Sequence, residues 1–296
     1  MVCRQRGPLH VTLKAAVLGH PIGHSQSPAL HRAAYARLGV DVEYSAIDVT
    51  VADLPAFMAS VRNEPGWRGL SVTMPLKTAM FSEVDEVRGV ARILGVVNTV
   101  VFEADGPSIR RIGYNTDVTG IVNAVRHAGV ASAPSAVVLG GGGTAAAAIA
   151  ALKDLGAQSA DIYVRDVGRA AEARAASDGV GLPVRVLPLS GAAPAMAAAD
   201  VVISTLPPHG ADALAEELAS LRIPTPGVLL DVAYDPWPSR IASVWRDGGG
   251  AVVPGLEMLL YQAVEQVRFF SGLGDDVTAE VIDVMCDAVG APRRVF

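Results

Sequence analysis

Lys77 is the one charged residue in GLSVTMPLKTAMF (69–81), an otherwise apolar and small-residue stretch with Pro75 two places before it. An amine in that setting is either a solvated side chain where the chain turns or a group held in a pocket for chemistry. A second feature is a glycine cluster. In SAVVLGGGGTAAAAIAALKDLGA (135–157) a buried-strand pattern runs into an alanine-rich helical one through Gly140, Gly141, Gly142, Gly143 and Thr144. Gly140, Gly142 and Ala145 fit G-x-G-x-x-A, the spacing of a dinucleotide site. Gly140 permits the tight turn and Gly142 lets backbone approach a pyrophosphate. Ala145 lets helix and strand pack closely, with the helix N-terminus facing the anion. A glycine-rich turn with no ligand is the alternative. The next strand should end in the residue that chooses between cofactors, an acid for a ribose or an arginine for a 2′-phosphate. VRD (164–166) carries both. Arg165, with Arg169 one turn further, suits bidentate phosphate contact and favours NADP. Asp166 would repel a phosphate if it pointed the same way, which keeps NAD open. A solvated charge cluster at a strand end, with no cofactor role, is the other reading.

These residues need a scaffold. At 296 residues the chain is long enough for about two domains and a sizeable core. Hydrophobic residues make up 51% and charged ones 18%, a globular balance. The net charge of −6 argues against nucleic acid or an anionic membrane as a partner, and leaves room for a basic pocket. Cys3 and Cys286 lie at opposite ends and define no disulfide framework or metal spacing, so a reducing cytoplasm is the simplest setting. Lys14 interrupts the apolar run near the start, against a secretory signal, and no run of about twenty uncharged apolar residues predicts a membrane span. Strand patterns at 14–19, 42–49 and 67–74 alternate with helical ones at 27–40, 51–63 and from about Lys77, before a hairpin-like pair over 96–117. A helix at 117–130 opens a second unit. There the glycine strand and helix are followed by strand 161–166, helix 169–179 and strands 184–189, 200–207, 227–234 and 250–255. Helices at 256–272 and 276–290 close the chain. Such alternation predicts an α/β fold with largely parallel sheet.

Six further stretches complete a pattern with the glycine loop: GHPIGHSQSPALH (19–31), SVTMPLK (71–77), GVVNT (95–99), GYNTDVTG (113–120), DVAYDPWP (231–238) and GLEMLLYQA (255–263). In this order they closely resemble the shikimate dehydrogenase family, over about residues 14–272. The resemblance implies NADP-linked reduction of 3-dehydroshikimate to shikimate. It also implies a substrate-binding α/β domain (1–116 with the returning 256–296) facing a Rossmann-type NADP-binding domain (117–255) across a cleft. Lys77 and Asp117 match the catalytic pair: the amine passes the proton and stabilises an oxyanion, and the carboxylate orients amine and hydroxyl. Read by itself, without the family pattern, Asp117 is an N-cap for the helix it opens. Ser25 and Ser27 match hydroxyls that hold a carboxylate beside a helix start, although Ser27 could merely cap that helix. Thr73 matches a substrate-hydroxyl contact, Asn98 an amide on the ring hydroxyls, Gln262 a substrate amide and Tyr234 a neighbour of the substrate. Thr205, Val232, Gly255 and Met258 match positions lining the nicotinamide, while a methionine on a helix is as readily core. His24 and His31 belong to the serine motif in a structural or supporting role, and no histidine has metal-ligand spacing.

Some positions depart from the family pattern. Ser71 stands where Asn is usual, Arg32 replaces Asn, Val164 replaces Asn, Asp166 replaces Thr, and Ser239-Arg240-Ile241 replaces Thr-Pro-Leu. Val164 and Asp166 bear on cofactor choice, the others on packing and loop shape. The alternatives to an NADP enzyme are a quinate/shikimate dehydrogenase using NAD and a silent dinucleotide sensor. A sensor predicts a broken lysine–aspartate pair, and both residues are present. The family precedent allows monomers and homodimers.

Overall fold

The structure, a computed structural model, describes residues 12–293 apart from 63, 107 and 278; the side chains of Arg169 and Ala279 and all of Cys3 lie outside that description. The first sheet is built from β1 (Leu13–Gly19), α1 (Ser27–Leu38), β2 (Val42–Asp48), α2 (Leu54–Arg62), β3 (Trp67–Val72), β4 (Glu86–Val87), α3 (Val90–Leu94), β5 (Thr99–Asp105) and β6 (Ser108–Tyr114). Its strand order is β2-β1-β3-β5-β6-β4. β2, β1 and β3 run parallel, as does β4 with β6, but the β5–β6 hairpin pairs antiparallel with itself and with β3. The sheet is therefore mixed, because a hairpin reverses the chain without a crossover helix.

The second sheet follows α4 (Asp117–His127): β7 (Ala136–Leu139), α5 (Gly143–Asp154), β8 (Ala160–Val164), α6 (Ala171–Val180), β9 (Val184–Pro188), α7 (Ala192–Ala198), β10 (Val201–Ser204), α8 (Asp212–Leu221), β11 (Val228–Asp231), α9 (Arg240–Asp247) and β12 (Ala251–Pro254). All its pairings are parallel, in the order β12-β11-β10-β7-β8-β9. Short uniformly apolar strands such as AVVL and VVIS arise because helices cover both faces. The order reverses between β7 and β10, which opens a crevice at their carboxyl ends. Last come α10 (Gly255–Ser271) and α11 (Ala279–Val289), which share a core with α1, β1 and β2. α10 also crosses α4, and only a glycine fits there: a Cβ at Gly120 would lie 2.8 Å from the Met258 carbonyl oxygen.

Several local expectations change. No α-helix starts at Lys77; a single 3-10 turn covers Ala79–Ser82. α2 begins only at Leu54, after a turn in which the Asp53 and Leu54 N–H groups donate to the Thr50 carbonyl. α6 starts at Ala171, after a 3-10 turn over Val167–Arg169. The elements α3, β4, α7, α8 and α9 were not anticipated from sequence, although α9 (Arg240–Asp247) is clearly amphipathic with Ile241, Ala242, Val244 and Trp245 buried on one face. In the altered 239–241 segment Ser239 has a clear use. Its hydroxyl accepts from Ala242 N at 3.1 Å to cap α9 and donates to Asp231 Oδ2 at 2.6 Å.

His31 is wholly buried on α1, stacked on Tyr44 with ring centroids 4.0 Å apart. Burial pushes its pKa down to about 3, outweighing the hydrogen bond to Gln266 that pulls it back up. Unfolded, the ring titrates near 6.5, so between those values the unfolded chain binds the extra proton and stability falls as pH falls. One such group contributes a slope of at most about 1.4 kcal/mol per pH unit. Chemical denaturation between pH 4 and 6 should show a flatter pH dependence in His31→Gln than in the parent. Equal slopes would remove His31 as the source.

Candidate active site

Lys77 leaves the end of β3 through Thr73 and Pro75, and its Nζ donates to Asp117 Oδ2 at 2.6 Å. The lysine side chain is 15% exposed and the aspartate 1%, so the pair is shielded from bulk water on all but one side. The solvated-turn reading of Lys77 fails on this contact. Asp117 is the first residue of α4, where the helix dipole favours a carboxylate, but it is not the cap. Asn115 takes that work: its Oδ1 accepts from the N–H groups of Asp117 at 3.0 Å and Val118 at 3.3 Å. The Asp117 carboxylate is thereby left for Lys77 on one oxygen and for the Asn98 amide on the other, at 2.9 Å.

The pair lies on the wall of a cleft of about 170 Å³. Ser25, Ser27, Thr73, Tyr234 and Gln262 line it with them, and so do Thr144, Val232, Gly255 and Met258 from the cofactor-side set. Ser27 does not cap α1: Gln26 holds the cap position without a side-chain bond, and the Ser27 N–H donates to Ser25 Oγ at 3.3 Å. Burial raises the pKa of Tyr234. Asn98 is set behind this wall, where its Nδ2 has Asp117 Oδ1, Gln262 Oε1 at 2.8 Å and Thr116 Oγ1 at 3.0 Å within reach. His24 also reaches the cleft, from an exposed position.

Two lining residues had no reading as site residues. Ser71 Oγ accepts from the Tyr44 hydroxyl and donates to Gln266 Oε1, each at 2.7 Å. The shorter side chain at 71 thus works with a tyrosine and a glutamine from two other elements. Gln266 was detectable in principle as a second amide one helical turn after Gln262 on a mostly apolar helix.

Across the cleft, Gly140 has φ +112°, and a Cβ there would sit 2.3 Å from Thr205 Oγ1. A Cβ at Gly141 would meet Val164 at 2.9 Å, so the apolar residue at 164 packs beneath the loop. Gly142 is the α5 cap residue and brings no side chain over the first helical N–H groups. Ala145 is fully buried, as close helix–strand packing requires. The loop therefore fits a pyrophosphate at a helix N-terminus. Gly140 to Gly143, Thr205 and Arg165 do not line the Lys77 cleft itself; Thr144 does, with its hydroxyl 3.5 Å from Lys77 Nζ. Arg165 is exposed beyond β8 and has no ion-pair partner among the described residues. Asp166 is turned back on its own chain, accepting from Gly168 N at 2.9 Å.

A dinucleotide-type parallel sheet facing a lysine–aspartate pair across a cleft defines a nicotinamide-nucleotide-linked oxidoreductase. A family model described as the shikimate dehydrogenase substrate binding domain matches residues 17–100. The shikimate dehydrogenase (NADP(+)) of Rubrobacter xylanophilus is 40% identical over 273 residues, 90% of this chain and 94% of that protein. The chain belongs to the shikimate dehydrogenase family. The crystal structure of Mycobacterium tuberculosis shikimate dehydrogenase superposes with a TM-score of 0.79 at 39% identity, covering 94% of this chain and 99% of that one. The Thermus thermophilus enzyme, solved in complex with NADP(H) and shikimate, gives a TM-score of 0.75 at 31% identity, covering 93% and 99%.

Proposed function

We propose that this chain catalyses the reversible NADP-linked reduction of 3-dehydroshikimate to shikimate, a step toward chorismate and the aromatic amino acids. The observation that carries it is the position of Lys77 Nζ, 2.6 Å from Asp117 and 3.5 Å from Thr144. The proton-transfer group and the first turn of α5, just after the glycine loop, thus share one cleft. In this reading 1–116 with 256–296 binds substrate, 117–255 binds cofactor, and the enzyme works in the cytoplasm as a monomer or homodimer. The bound nicotinamide supplies hydride exchange at the carbinol carbon. Ser25 and Ser27 hold the substrate carboxylate at the start of α1, and Thr73 and Gln262 take ring hydroxyls. Asn98 reaches a hydroxyl only by releasing one of its present acceptors, since its amide has two hydrogens for three neighbours. As the substrate carbonyl becomes a hydroxyl, its oxygen takes a proton from the Lys77 amine, while Asp117 fixes where that amine sits. Tyr234 closes the substrate side. Val232, Gly255, Met258 and Thr205 shape the nicotinamide end, and Gly140 to Gly143 with Thr144 receive the pyrophosphate.

Oxidation of shikimate and of quinate, each with NADP and with NAD, followed at the reduced-nicotinamide absorbance, tests this. Shikimate with NADP should be fastest, and no turnover with any pair would overturn the proposal. Arg165, assisted by Arg169, is assigned to the 2′-phosphate, because Asp166 is committed to Gly168. Arg165→Ala should raise the KM for NADP about tenfold or more and leave that for NAD within about twofold. An unchanged KM for NADP would move the phosphate elsewhere.

A further inference from the structure

Five hydrogen bonds behind the cleft all point the same way. Tyr44 O–H donates to Ser71 Oγ (2.7 Å), Ser71 O–H to Gln266 Oε1 (2.7 Å) and Gln266 Nε2–H to Thr99 Oγ1 (3.0 Å). Thr99 O–H then donates to Asn98 Oδ1 (2.9 Å), and Asn98 Nδ2–H to Asp117 Oδ1 (2.9 Å). Backbone groups fix the two amides in this direction. The Thr116 N–H faces Asn98 Oδ1 at 2.7 Å, and the Asn98 carbonyl faces Gln266 Nε2 at 3.4 Å. A flip of either amide would set donor against donor or acceptor against acceptor. Neutral His31 conforms: Nε2–H can donate to Gln266 Oε1 at 3.3 Å while Nδ1 accepts from Tyr35 at 3.1 Å.

We propose that Thr99 is a positioning residue for the Lys77–Asp117 pair, carrying the order of the Tyr44–Ser71–Gln266 network to the amide that holds Asp117 Oδ1. Thr99 is fully buried and does not line the cleft, and the same is true of Tyr44. Neither can act by touching substrate. Without the Thr99 hydroxyl, Gln266 Nε2 loses its nearer acceptor and Asn98 Oδ1 one of its donors. Asn98 Oδ1 then rests on Thr116 alone, through its N–H at 2.7 Å and its hydroxyl at 3.3 Å, and the amide is cut off from the Gln266 side of the network. With the amide less firmly placed, Asp117 Oδ1 is held less tightly, and Oδ2 positions the amine less well. The proposal rests on reading Lys77 and Asp117 as the proton-transfer pair.

Steady-state kinetics of Thr99→Val and Thr99→Ser test it. Thr99→Val should lower kcat about tenfold with the shikimate KM within about twofold, and Thr99→Ser should restore kcat. Parent kcat in Thr99→Val, or a loss that Thr99→Ser does not reverse, overturns the proposal. Should thermal melting show that Thr99→Val does not fold, Tyr44→Phe decides: about threefold lower kcat at unchanged KM supports the proposal, and parent kcat rejects it. Lys77→Ala in the same assay separates the two levels. If Lys77→Ala is inactive and Thr99→Val is normal, only the positioning role fails. If Lys77→Ala keeps parent turnover, the pair itself has been misread and the positioning role falls with it.

Discussion

Lys77→Ala is expected to lower kcat by about a thousandfold while the shikimate KM changes only several-fold. In the proposed role the amine acts on an oxygen whose charge develops as the reaction proceeds, so its interaction would strengthen toward the transition state. Only 15% of the lysine side chain is exposed, and water that enters the space left by truncation cannot match an amine held at 2.6 Å by Asp117. Asp117 keeps its Asn98 hydrogen bond in the variant, which limits the cost of leaving a buried carboxylate without its cation. Melting curves should therefore show a folded protein. A variant with near-parent kcat would mean that another group, or water, moves the proton.

Gly140→Ala should abolish measurable NADP binding and lower the melting temperature together. The backbone there has φ +112°, a region alanine enters only with strain of about 1–3 kcal/mol. The new Cβ would also lie 2.3 Å from Thr205 Oγ1. Thr205 cannot retreat freely, because both its N–H and its hydroxyl donate to the Leu139 carbonyl at 2.8 Å. Gly142→Ala is the informative contrast. Its φ of −93° suits any residue, and the nearest atom to a new Cβ is Glu172 Oε2 at 3.7 Å. That variant should melt like the parent and lose only cofactor affinity, since the methyl group enters the space meant for phosphate. Fluorescence titration with NADPH beside thermal melting reads both. A Gly140→Ala protein that binds NADPH normally would show that the loop does not receive the pyrophosphate as assigned.

The legible and illegible parts of this protein divide by distance along the chain. The glycine loop was readable because strand, turn and helix are consecutive and the G-x-G-x-x-A spacing lies within one short stretch. The alternation of short apolar runs with helical ones was readable for the same reason. The β5–β6 pair was visible as a hairpin, but its making the first sheet mixed was not, since that depends on β5 lying beside β3 rather than on any feature of the hairpin. The cap was not legible: Asp117 could be read as capping the helix it opens, and only geometry gave that work to Asn115 and released Asp117. Gln266 escaped notice because an amide on an apolar helix declares no partner until the facing strands are known.

By itself, the order of residue types determined a glycine loop of dinucleotide spacing, a lysine out of place in an apolar stretch, and an α/β chain able to present both. Those are properties of neighbouring residues and survive without knowledge of the fold. Tertiary structure alone decided that Lys77 meets Asp117, that Thr144 at the start of α5 reaches the same amine, and that Gln266 and Ser71 stand behind them. These contacts join β3, α4, α5 and α10, which are far apart in the chain. They depend on how closely helices cross, as at Gly120 beneath Met258, and on which way each buried hydrogen bond must point when every donor needs an acceptor.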